Sequence, residues 1–410
     1  MTLQVDGERL RRDMADLAGI GALDTGGISR TAYSAADDAA RRWYADRCAE
    51  AGLDLRLDGL GNMVAQAPST STATPVWTGS HIDTVPHGGA FDGALGTVAA
   101  LECVRRIAES GVELSRPLCA VVFSDEEGNY GHLLGSRGLS HGYTAEQLAA
   151  LTGRDGDRLV DALAGWGWAT GEPTATRIEP GSVHAFVELH IEQGPTLEAS
   201  GTDIGVVTSI VGLGGAVVEF TGRADHAGTT PMPLRSDALL AAATFLTQLP
   251  EVAATVGPNS VVTCGLLRVE PGGANVVPGV AAVTLDFRDP DRDRLATLTR
   301  EIARAADGAA AATGVTVAWR PDEPIDPMPL AGPIQSVIRD AAVELGLSQV
   351  AMPSGAGHDS QNMAHIAPTG MVFVPSKNGR SHSPAEHTEF AAVRNGANVL
   401  LSTVLTLAAH

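Results

Sequence analysis

The feature that most restricts the fold of this chain is a change of pattern partway along it. In the first part, Val76–Thr78 and Leu118–Phe123 are short apolar runs that predict strands, and Leu95–Ser110 between them predicts a helix. Strands that alternate with helices favour an α/β fold, a mostly parallel sheet with helices on both faces. Ligands of such sheets bind in the loops that follow the carboxyl ends of the strands. Those loops are therefore where a functional site is expected.

The pattern differs between residues 207 and 319. Four strand patterns and two helical patterns follow one another there in the order β-α-β-β-α-β, which is typical of a ferredoxin-like α+β domain. The proline-rich, acidic stretch RPDEPIDPMPLAGP comes next and suits a linker that returns the chain to the first domain. We therefore expect a discontinuous domain of residues 1–206 and 320–410, interrupted by an inserted domain of residues 207–319.

Composition excludes several classes of function. The 410 residues include 28 Lys and Arg against 48 Asp and Glu, a net charge of −20, so binding to nucleic acid or to an anionic membrane is not expected. The four cysteines are far apart, which indicates free thiols in a reducing compartment. No signal-peptide pattern or uninterrupted apolar run of membrane-spanning length is present, and we expect a cytoplasmic protein.

The densest candidate site is the stretch TGSHIDTVPHGGAFDG, which begins with an apolar strand. His81 and Asp83 point to the same side in such a strand, so one can bind a metal while the other hydrogen-bonds the imidazole. Asp92 follows eleven residues after His81, in a glycine-rich loop that can return to the same point. The alternative is a turn in which the aspartate only caps the next helix.

A second candidate is VVFSDEEG, where three acids follow a buried strand. Burying such charges is costly unless cations face them. Glu126 and Glu127 are adjacent and point in different directions, so one can bind a metal while the other acts as a general base. A solvated acidic turn is the alternative for this stretch taken alone.

Two histidines complete the set of candidates. His190 lies in ELHIEQGP and His382 in GRSHSPAEHT, and each follows a predicted strand. Imidazole and carboxylate groups together suit two hydrolytic divalent ions. A Ser-His-Asp catalytic site is the competitor, but the chain has no GxSxG nucleophile motif around Ser80 or Ser124.

These four blocks, in this order, resemble the M20-type dinuclear metallohydrolases, and most of all their hydantoinase/carbamoylase amidase branch. The resemblance covers nearly the whole chain, including the inserted domain. It implies that His81 and His190 bind one metal, that Glu127 and His382 bind the other, and that Asp92 bridges the two. It also implies the remaining roles at this centre: orientation of His81 by Asp83, and general base catalysis by Glu126.

The resemblance extends to residues that contact the substrate. It implies that the inserted domain is a lid and dimerisation domain whose His226 meets the active site of a partner subunit in a homodimer and stabilises the oxyanion. Asn275 and Arg288 correspond to a clamp for the substrate carboxylate, and Gln193 and His358 to the pocket around the ureido group. The alternatives are a surface turn residue for His226 and a structural salt bridge for Arg288.

The implied activity is removal of an N-carbamoyl (ureido) group from a small carboxylate-bearing substrate, with N-carbamoyl-L-amino acids first. Allantoate amidohydrolase and β-ureidopropionase activities are alternatives, as are an M20 aminopeptidase or dipeptidase and a catalytically idle metal-binding scaffold. His190 favours the amidases, because the peptidases usually have an acid there. Zn²⁺ is the first choice of metal, and Mn²⁺, Co²⁺ and Ni²⁺ also suit such ligands.

One departure from the family pattern affects the substrate. The family commonly continues the E-E-G motif with a longer loop that contains an Arg-Phe pair, whereas this chain has a shorter loop with Asn129 and Tyr130. The metal ligands are unaffected by this change, but the preferred substrate is left open.

Overall fold

The computed structural model describes residues 3–409, which form two compact units. The first unit takes the chain up to Thr208 and again from Leu330, and the second unit is Ser209–Pro329. The return to the first unit therefore lies ten residues later than the expected boundary at 319. The reason is that the last strand of the second unit continues to Pro321 and that Ile325 still pairs with Leu213.

Thirteen α-helices lie in the described residues, numbered here in chain order: α1 Gly7–Gly19, α2 Ala35–Glu50, α3 Ala94–Ser110, α4 Leu134–Ser140, α5 Ala145–Ala150, α6 Leu159–Leu163, α7 Thr196–Ser200, α8 Ala238–Leu246, α9 Leu249–Val256, α10 Arg292–Thr313, α11 Gly332–Glu344, α12 Asp359–Met363 and α13 Phe390–Ala409. The strands of this part of the chain are β1 Asp54–Leu57, β2 Met63–Gln66, β3 Val76–His81, β4 Leu118–Phe123, β5 Ala185–Ile191, β6 Ile204–Ile210, β7 Gly212–Thr221, β8 Asp225–His226, β9 Val261–Glu270, β10 Val276–Val277, β11 Val280–Asp289, β12 Thr316–Pro321, β13 Met328–Pro329, β14 Gln349–Ser354 and β15 Thr369–Val374.

The main sheet has nine strands in the order β1-β2-β4-β3-β5-β15-β6-β13, with β14 paired to β6. Its four central strands, β4, β3, β5 and β15, are parallel, and the outer pairs β1-β2, β2-β4, β15-β6 and β6-β13 are antiparallel. Four parallel strands at the centre place the carboxyl ends of β3, β4, β5 and β15 at one edge of the sheet.

Both faces of this sheet are covered, which explains why its central strands are buried along their whole length. In β4, Ala120 and Val122 point into the core formed with α1, α3 and α13, whereas Val121 and Phe123 point into a second core that includes Leu139 of α4. Fully covered parallel strands are expected to be continuously apolar. The predicted parallel-sheet architecture is confirmed.

The second unit is an antiparallel four-stranded sheet in the order β12-β7-β11-β9, packed against α8, α9 and α10. Its apolar core contains Phe220, Phe245 and Phe287. Four strands and two helical crossings in this order form the ferredoxin-like arrangement, which confirms the predicted class of the inserted domain.

Two helical segments, Ala238–Val256 and Phe390–Ala409, are long and apolar enough to cross a membrane. Phe245 of the first segment packs in the core of the second unit and Leu400 of the other segment in the core of the first, whereas Leu240 is 50% exposed. All four cysteines are free, as expected from their spacing, and three of them are buried.

Candidate metal centre

The candidate site lies at the carboxyl ends of the central parallel strands. β3 ends at His81, and β4 ends just before the acids Glu126 and Glu127. His190 is the penultimate residue of β5, and His382 follows β15 through a loop. Because these strands are parallel neighbours, residues up to about 300 positions apart in the sequence meet at one edge of the sheet.

Asp92 joins two groups of possible ligands through its two carboxylate oxygens. Its Oδ1 lies 3.1 Å from Nε2 of His190 and 3.6 Å from Nε2 of His81. Its Oδ2 lies 3.3 Å from Nε2 of His382, which in turn lies 3.4 Å from Oε2 of Glu127. Each group of three offers ligand atoms within 4.8 Å of one another, so the five residues expected to bind metal are brought together.

The centre is buried on one side and open on the other. The side chains of His81 and His190 are 2% and 1% exposed, whereas that of His382 is 51% exposed. A small molecule can therefore approach from the His382 side, while the group that contains His81 and His190 is protected from water.

Glu126 lies beside both groups without belonging to the Asp92 clusters. Its Oε2 is 3.7 Å from Nε2 of His81. Burial raises the pKa of Glu126 well above its usual range, and it raises that of Glu127 to about 7. The ionised forms of these neighbouring acids thus need compensation by positive charge.

The pKa of Asp92 is shifted in the opposite direction, below its usual value. Burial opposes its ionisation, but hydrogen bonds from His190, His382 and His81 hold its pKa well below the usual value. An ionised carboxylate surrounded by three imidazoles and flanked by two acids fits two divalent cations in donor type and number.

Asp83 differs from its expected role. Nδ1 of His81 lies 3.0 Å from the backbone carbonyl oxygen of Asp83 and 3.8 Å from its carboxylate. The carboxylate instead accepts the backbone N–H groups of Glu126 and Glu127, at 3.4 and 3.2 Å. Asp83 therefore contacts His81 through its main chain and holds the two glutamates through its side chain.

Gly93 allows the loop of Asp92 to approach His81 closely. It has a φ of +63°, and a β-carbon at this position would overlap the imidazole ring of His81. Any other residue would displace either the ring or the loop. The glycine that ends the first sequence motif is thus required by the packing of the site.

Three non-glycine residues of the site adopt a left-handed backbone conformation. The φ angles of Asp125, Gln193 and His382 are +54°, +58° and +53°. Such conformations are unfavourable for residues other than glycine and persist where the surroundings impose them. The three turns orient the side chains that lie on them or next to them.

Asp125 was not singled out by the sequence analysis, although it lies in the SDEEG motif. Its carboxylate accepts the backbone N–H groups of Asn129, Tyr130 and Gly131, at 2.6, 2.9 and 3.0 Å. This side chain therefore shapes the shortened loop that follows Glu127. The sequence did offer a signal for Asp125: it is the one acid of the SDEEG motif to which neither metal binding nor base catalysis was assigned.

Gln193 and Ser381 contact the central carboxylate directly. Nε2 of Gln193 and Oγ of Ser381 lie 2.6 and 2.8 Å from Oδ2 of Asp92. Ser381 was missed by the sequence analysis, which selected only its neighbour His382. Both groups lie at the open side of the centre.

His358 is buried behind His190. Its ring meets that of His190 edge-on at 4.5 Å, and its Nε2 lies 2.8 Å from Oγ of Ser354. Burial and the neighbouring His190 hold the pKa of His358 well below its usual value, so the ring is neutral.

In the second unit, His226 and Asn275 lie side by side. His226 pairs with Val276 in the β8-β10 ladder, and the N–H of Ala227 donates to the carbonyl oxygen of Asn275. Nδ1 of His226 is 3.1 Å from the N–H of Gly228 and so acts as an acceptor. Because Nδ1 is occupied as an acceptor, Nε2 is the ring nitrogen that can donate.

Arg288 lies in β11 of the four-stranded sheet, at the end of that sheet away from the β8-β10 ladder. It pairs with Leu213, whereas the His226 loop extends from the Val280–Thr221 end of the β7-β11 ladder. Eight residues of strand separate the two ends, roughly 26 Å at the usual rise. Within one second unit, Arg288 and Asn275 are therefore not brought together, and the Arg288 guanidinium binds Asp286 at 2.9 Å.

Comparison with known proteins agrees with this geometry. Residues 77–406 match the sequence profile of peptidase family M20/M25/M40. This chain belongs to that family. The family consists of metallohydrolases. The candidate ligands Asp92, His190 and His382 lie within the matched region.

Relatives within the M20/M25/M40 family include several amidohydrolases. An N-carbamoyl-L-amino-acid amidohydrolase of Paenarthrobacter aurescens is 38% identical over 411 residues, which cover 99% of this chain and 100% of the relative. An allantoate amidohydrolase of Bacillus subtilis is 33% identical, covering 96% of this chain and 95% of the relative.

A solved structure also matches over the whole chain. The hydantoinase/carbamoylase amidase of Burkholderia multivorans has a TM-score of 0.94 and 36% identity, and the match covers 100% of this chain and 99% of the other. The M20 resemblance stated from the four sequence motifs is confirmed, together with its amidase branch.

Proposed function

We propose that this M20 protein removes the N-carbamoyl group of N-carbamoyl-L-amino acids and releases the amino acid, ammonia and carbon dioxide. The observation that carries the proposal is the sharing of Asp92 between the His81–His190 and Glu127–His382 groups, with Glu126 3.7 Å from His81. The carbamoyl amidohydrolase of Paenarthrobacter aurescens, 38% identical along the whole chain, supports this choice of substrate.

The chemistry of the ligands supports two divalent cations per subunit. His81 and His190 would hold one, Glu127 and His382 the other, and Asp92 both. Zn²⁺ is the first choice for such imidazole and carboxylate ligands, and Mn²⁺, Co²⁺ and Ni²⁺ are the alternatives. When bound, two such cations lower the pKa of a water between them and polarise the substrate carbonyl.

Glu126 is proposed as the general base. It takes the proton of the attacking water and passes it to the leaving nitrogen. Its side chain is suited to this because it lies at the centre, 3.7 Å from Nε2 of His81, and forms a possible ligand group with His81 and Glu127 but not with Asp92. Asp83 supports the base by accepting its backbone N–H and that of Glu127.

His226 is proposed to stabilise the oxyanion with its Nε2–H group. Its tautomer suits this role because Nδ1 already accepts N–H groups of its own turn. Asn275 and Arg288 would bind the substrate carboxylate, and Gln193 and His358 would face the ureido group. Since Asn275 lies beside the β8-β10 ladder and Arg288 at the far end of the β7-β11 ladder, a carboxylate that both contact would lie between two copies of the chain.

A homodimer formed through the second unit accords with this division. β9 is an edge strand of its sheet, and its Val261, Leu266 and Leu267 are 52%, 62% and 42% exposed. An exposed apolar edge strand is a ready template for pairing with another chain. Leu266→Lys should therefore convert a dimer to a monomer in sedimentation or light-scattering measurements, and a Leu266→Lys variant that remains a dimer would contradict this interface.

Allantoate is the second candidate substrate, because the allantoate amidohydrolase of Bacillus subtilis is also similar over nearly the whole chain. A dipeptide is a weaker candidate, since His190 stands where the peptidases usually have an acid. Buried free thiols at Cys48, Cys103 and Cys119 support a cytoplasmic location.

The test is an ammonia-release screen with the metal-free protein reconstituted separately with Zn²⁺, Mn²⁺, Co²⁺ and Ni²⁺. The substrates are N-carbamoyl-L-amino acids, allantoate and N-carbamoyl-β-alanine, and a dipeptide panel is assayed by amine release. Higher kcat/KM for an N-carbamoyl-L-amino acid than for all others is expected. Activity confined to allantoate would select the second candidate, and activity on dipeptides alone would overturn both.

A further inference from the structure

A buried carboxylate with no role in the proposed reaction lies next to the candidate metal centre. Glu386 is 6% exposed and follows His382 by four residues, in the loop between β15 and α13. A buried carboxylate is costly unless its oxygens are hydrogen-bonded. The contacts of Glu386 therefore indicate what its position achieves.

The side-chain contacts of Glu386 are with Asp92 and with residues that adjoin or contact Asp92. Oε1 of Glu386 accepts the backbone N–H groups of Phe91 and Asp92, at 2.8 and 3.0 Å. Its Oε2 lies 2.7 Å from Oγ of Ser381, and the same Oγ lies 2.8 Å from Oδ2 of Asp92. Glu386 thus holds the backbone of Asp92 directly, and the Ser381 hydroxyl, which has one proton to donate, lies between the two carboxylates.

The packing around Glu386 is close. A β-carbon on Gly89 would overlap the Glu386 carboxylate, so the loop before Asp92 can approach only because this residue is glycine. The ring of Phe91 also meets that of His387 edge-on, at 5.6 Å. Two loops that are nearly 300 residues apart in the sequence are joined here by a carboxylate and an aromatic contact.

Each of these two loops carries a candidate ligand of the same cluster. Asp92 lies on the first and His382 on the second, and Oδ2 of Asp92 is 3.3 Å from Nε2 of His382. A rotation of the Asp92 carboxylate would change this distance and the 3.1 Å separation of Oδ1 from His190 together. The side chain that sets the orientation of Asp92 therefore affects both groups of ligands.

We propose that Glu386 is a positioning residue that fixes Asp92 against His382 and so determines how tightly the Asp92–Glu127–His382 group binds its cation. The proposal rests on the metal role proposed above for Asp92. Partners that orient metal ligands typically contribute 10–100-fold to metal affinity. Glu386 acts through Asp92 and Ser381 and does not itself contact the cation.

The test is titration of Zn²⁺ into the metal-free full chain in competition with a chelating dye. Glu386→Ala should weaken at least one of the two bound Zn²⁺ ions by roughly tenfold or more, because Asp92 belongs to both groups. Glu386→Gln, whose Oε1 still accepts both N–H groups, should stay within about threefold of the parent. Circular dichroism of each variant checks that the fold is kept.

Glu102→Ala is the matched control. Glu102 is also buried and also accepts a backbone N–H, that of Asp6, but it lies between α1 and α3, away from the candidate ligands. This variant should lose stability and keep its affinity for Zn²⁺. An equal loss of affinity in Glu102→Ala and Glu386→Ala would reduce the effect to general destabilisation and overturn the proposal.

The remaining outcomes distinguish failure of the proposed function from failure of the role assigned to Glu386. A parent protein that binds no Zn²⁺ would overturn the proposed function and this proposal with it. A parent that binds two Zn²⁺ ions, with unchanged affinity in Glu386→Ala, would overturn only the role of Glu386. If Glu386→Ala does not fold, Glu386→Asp decides, because its shorter side chain cannot keep both the backbone N–H groups of Phe91 and Asp92 and the Ser381 contact: unchanged affinity there would overturn the proposal.

Discussion

The carboxylate of Asp83 accepts the backbone N–H of Glu127 at 3.2 Å, while its distance to the nearest ring nitrogen of His81 is 3.8 Å. The main effect of this side chain is therefore on the turn that carries the two glutamates. The ring of His81 is oriented by the backbone carbonyl oxygen of the same residue, which no substitution of the side chain removes.

Asp83→Ala should destabilise the metal-free protein more than Asp83→Asn. The alanine leaves the N–H groups of Glu126 and Glu127 without an acceptor, at a cost of about 1–3 kcal/mol each, whereas asparagine retains one acceptor. Urea denaturation of the metal-free variants measures the difference in free energy of unfolding. Equal losses in the two variants would contradict the assigned contacts.

Glu126→Gln should keep the cation content of the parent and lose roughly 10²–10⁴-fold in kcat, because the amide cannot accept a proton. Glu127→Gln is the comparison, since it should lose cation affinity as well. Metal analysis by mass spectrometry and an ammonia-release assay give the two readouts. Near-normal turnover by Glu126→Gln would show that another group is the base.

His226→Ala should lower kcat roughly 10²–10³-fold with little change in KM, as for loss of one oxyanion donor. His184→Ala is the control, because His184 precedes β5 at the opposite end of that strand from His190. If His226 acts in the partner's site, an equal mixture of His226→Ala and Glu126→Gln subunits should regain activity at about a quarter of the sites. A mixture that stays inactive after subunit exchange would place His226 outside the partner's site.

Arg288→Ala should raise KM for carboxylate-bearing substrates by roughly 10–100-fold, the effect of losing a hydrogen bond to a charged group. Asp286→Asn tests the availability of the same guanidinium, because the Asp286 carboxylate accepts hydrogen bonds from Arg288 in the free protein. That variant should leave KM unchanged or lower it. Steady-state kinetics with one N-carbamoyl-L-amino acid suffices, and an unchanged KM in Arg288→Ala would remove this residue from the substrate site.

Much of the fold follows from local patterns. The helix predicted at Leu95–Ser110 is α3, Ala94–Ser110, and the strand predicted at Leu118–Phe123 is β4 with the same bounds. Periodicity and residue type decide such elements because each buries its own apolar face. The second unit extends to Pro329, beyond the expected residue 319, and the pairing of Ile325 with Leu213 is a long-range contact that no local pattern shows.

In the candidate site, too, some features follow from the local sequence and others only from long-range packing. The sequence alone identified the residue types that can bind cations, since imidazole and carboxylate groups at the ends of apolar strands are a chemical property of the chain. Only the tertiary structure decided that Asp92 directs one oxygen to His190 and the other to His382, that Asp83 holds the glutamates, and that Glu386 holds Asp92. It also separated Asn275 from Arg288. The physical reason is that spacing and residue type are local, whereas strand order, register and the close approach of distant loops depend on how the whole chain packs.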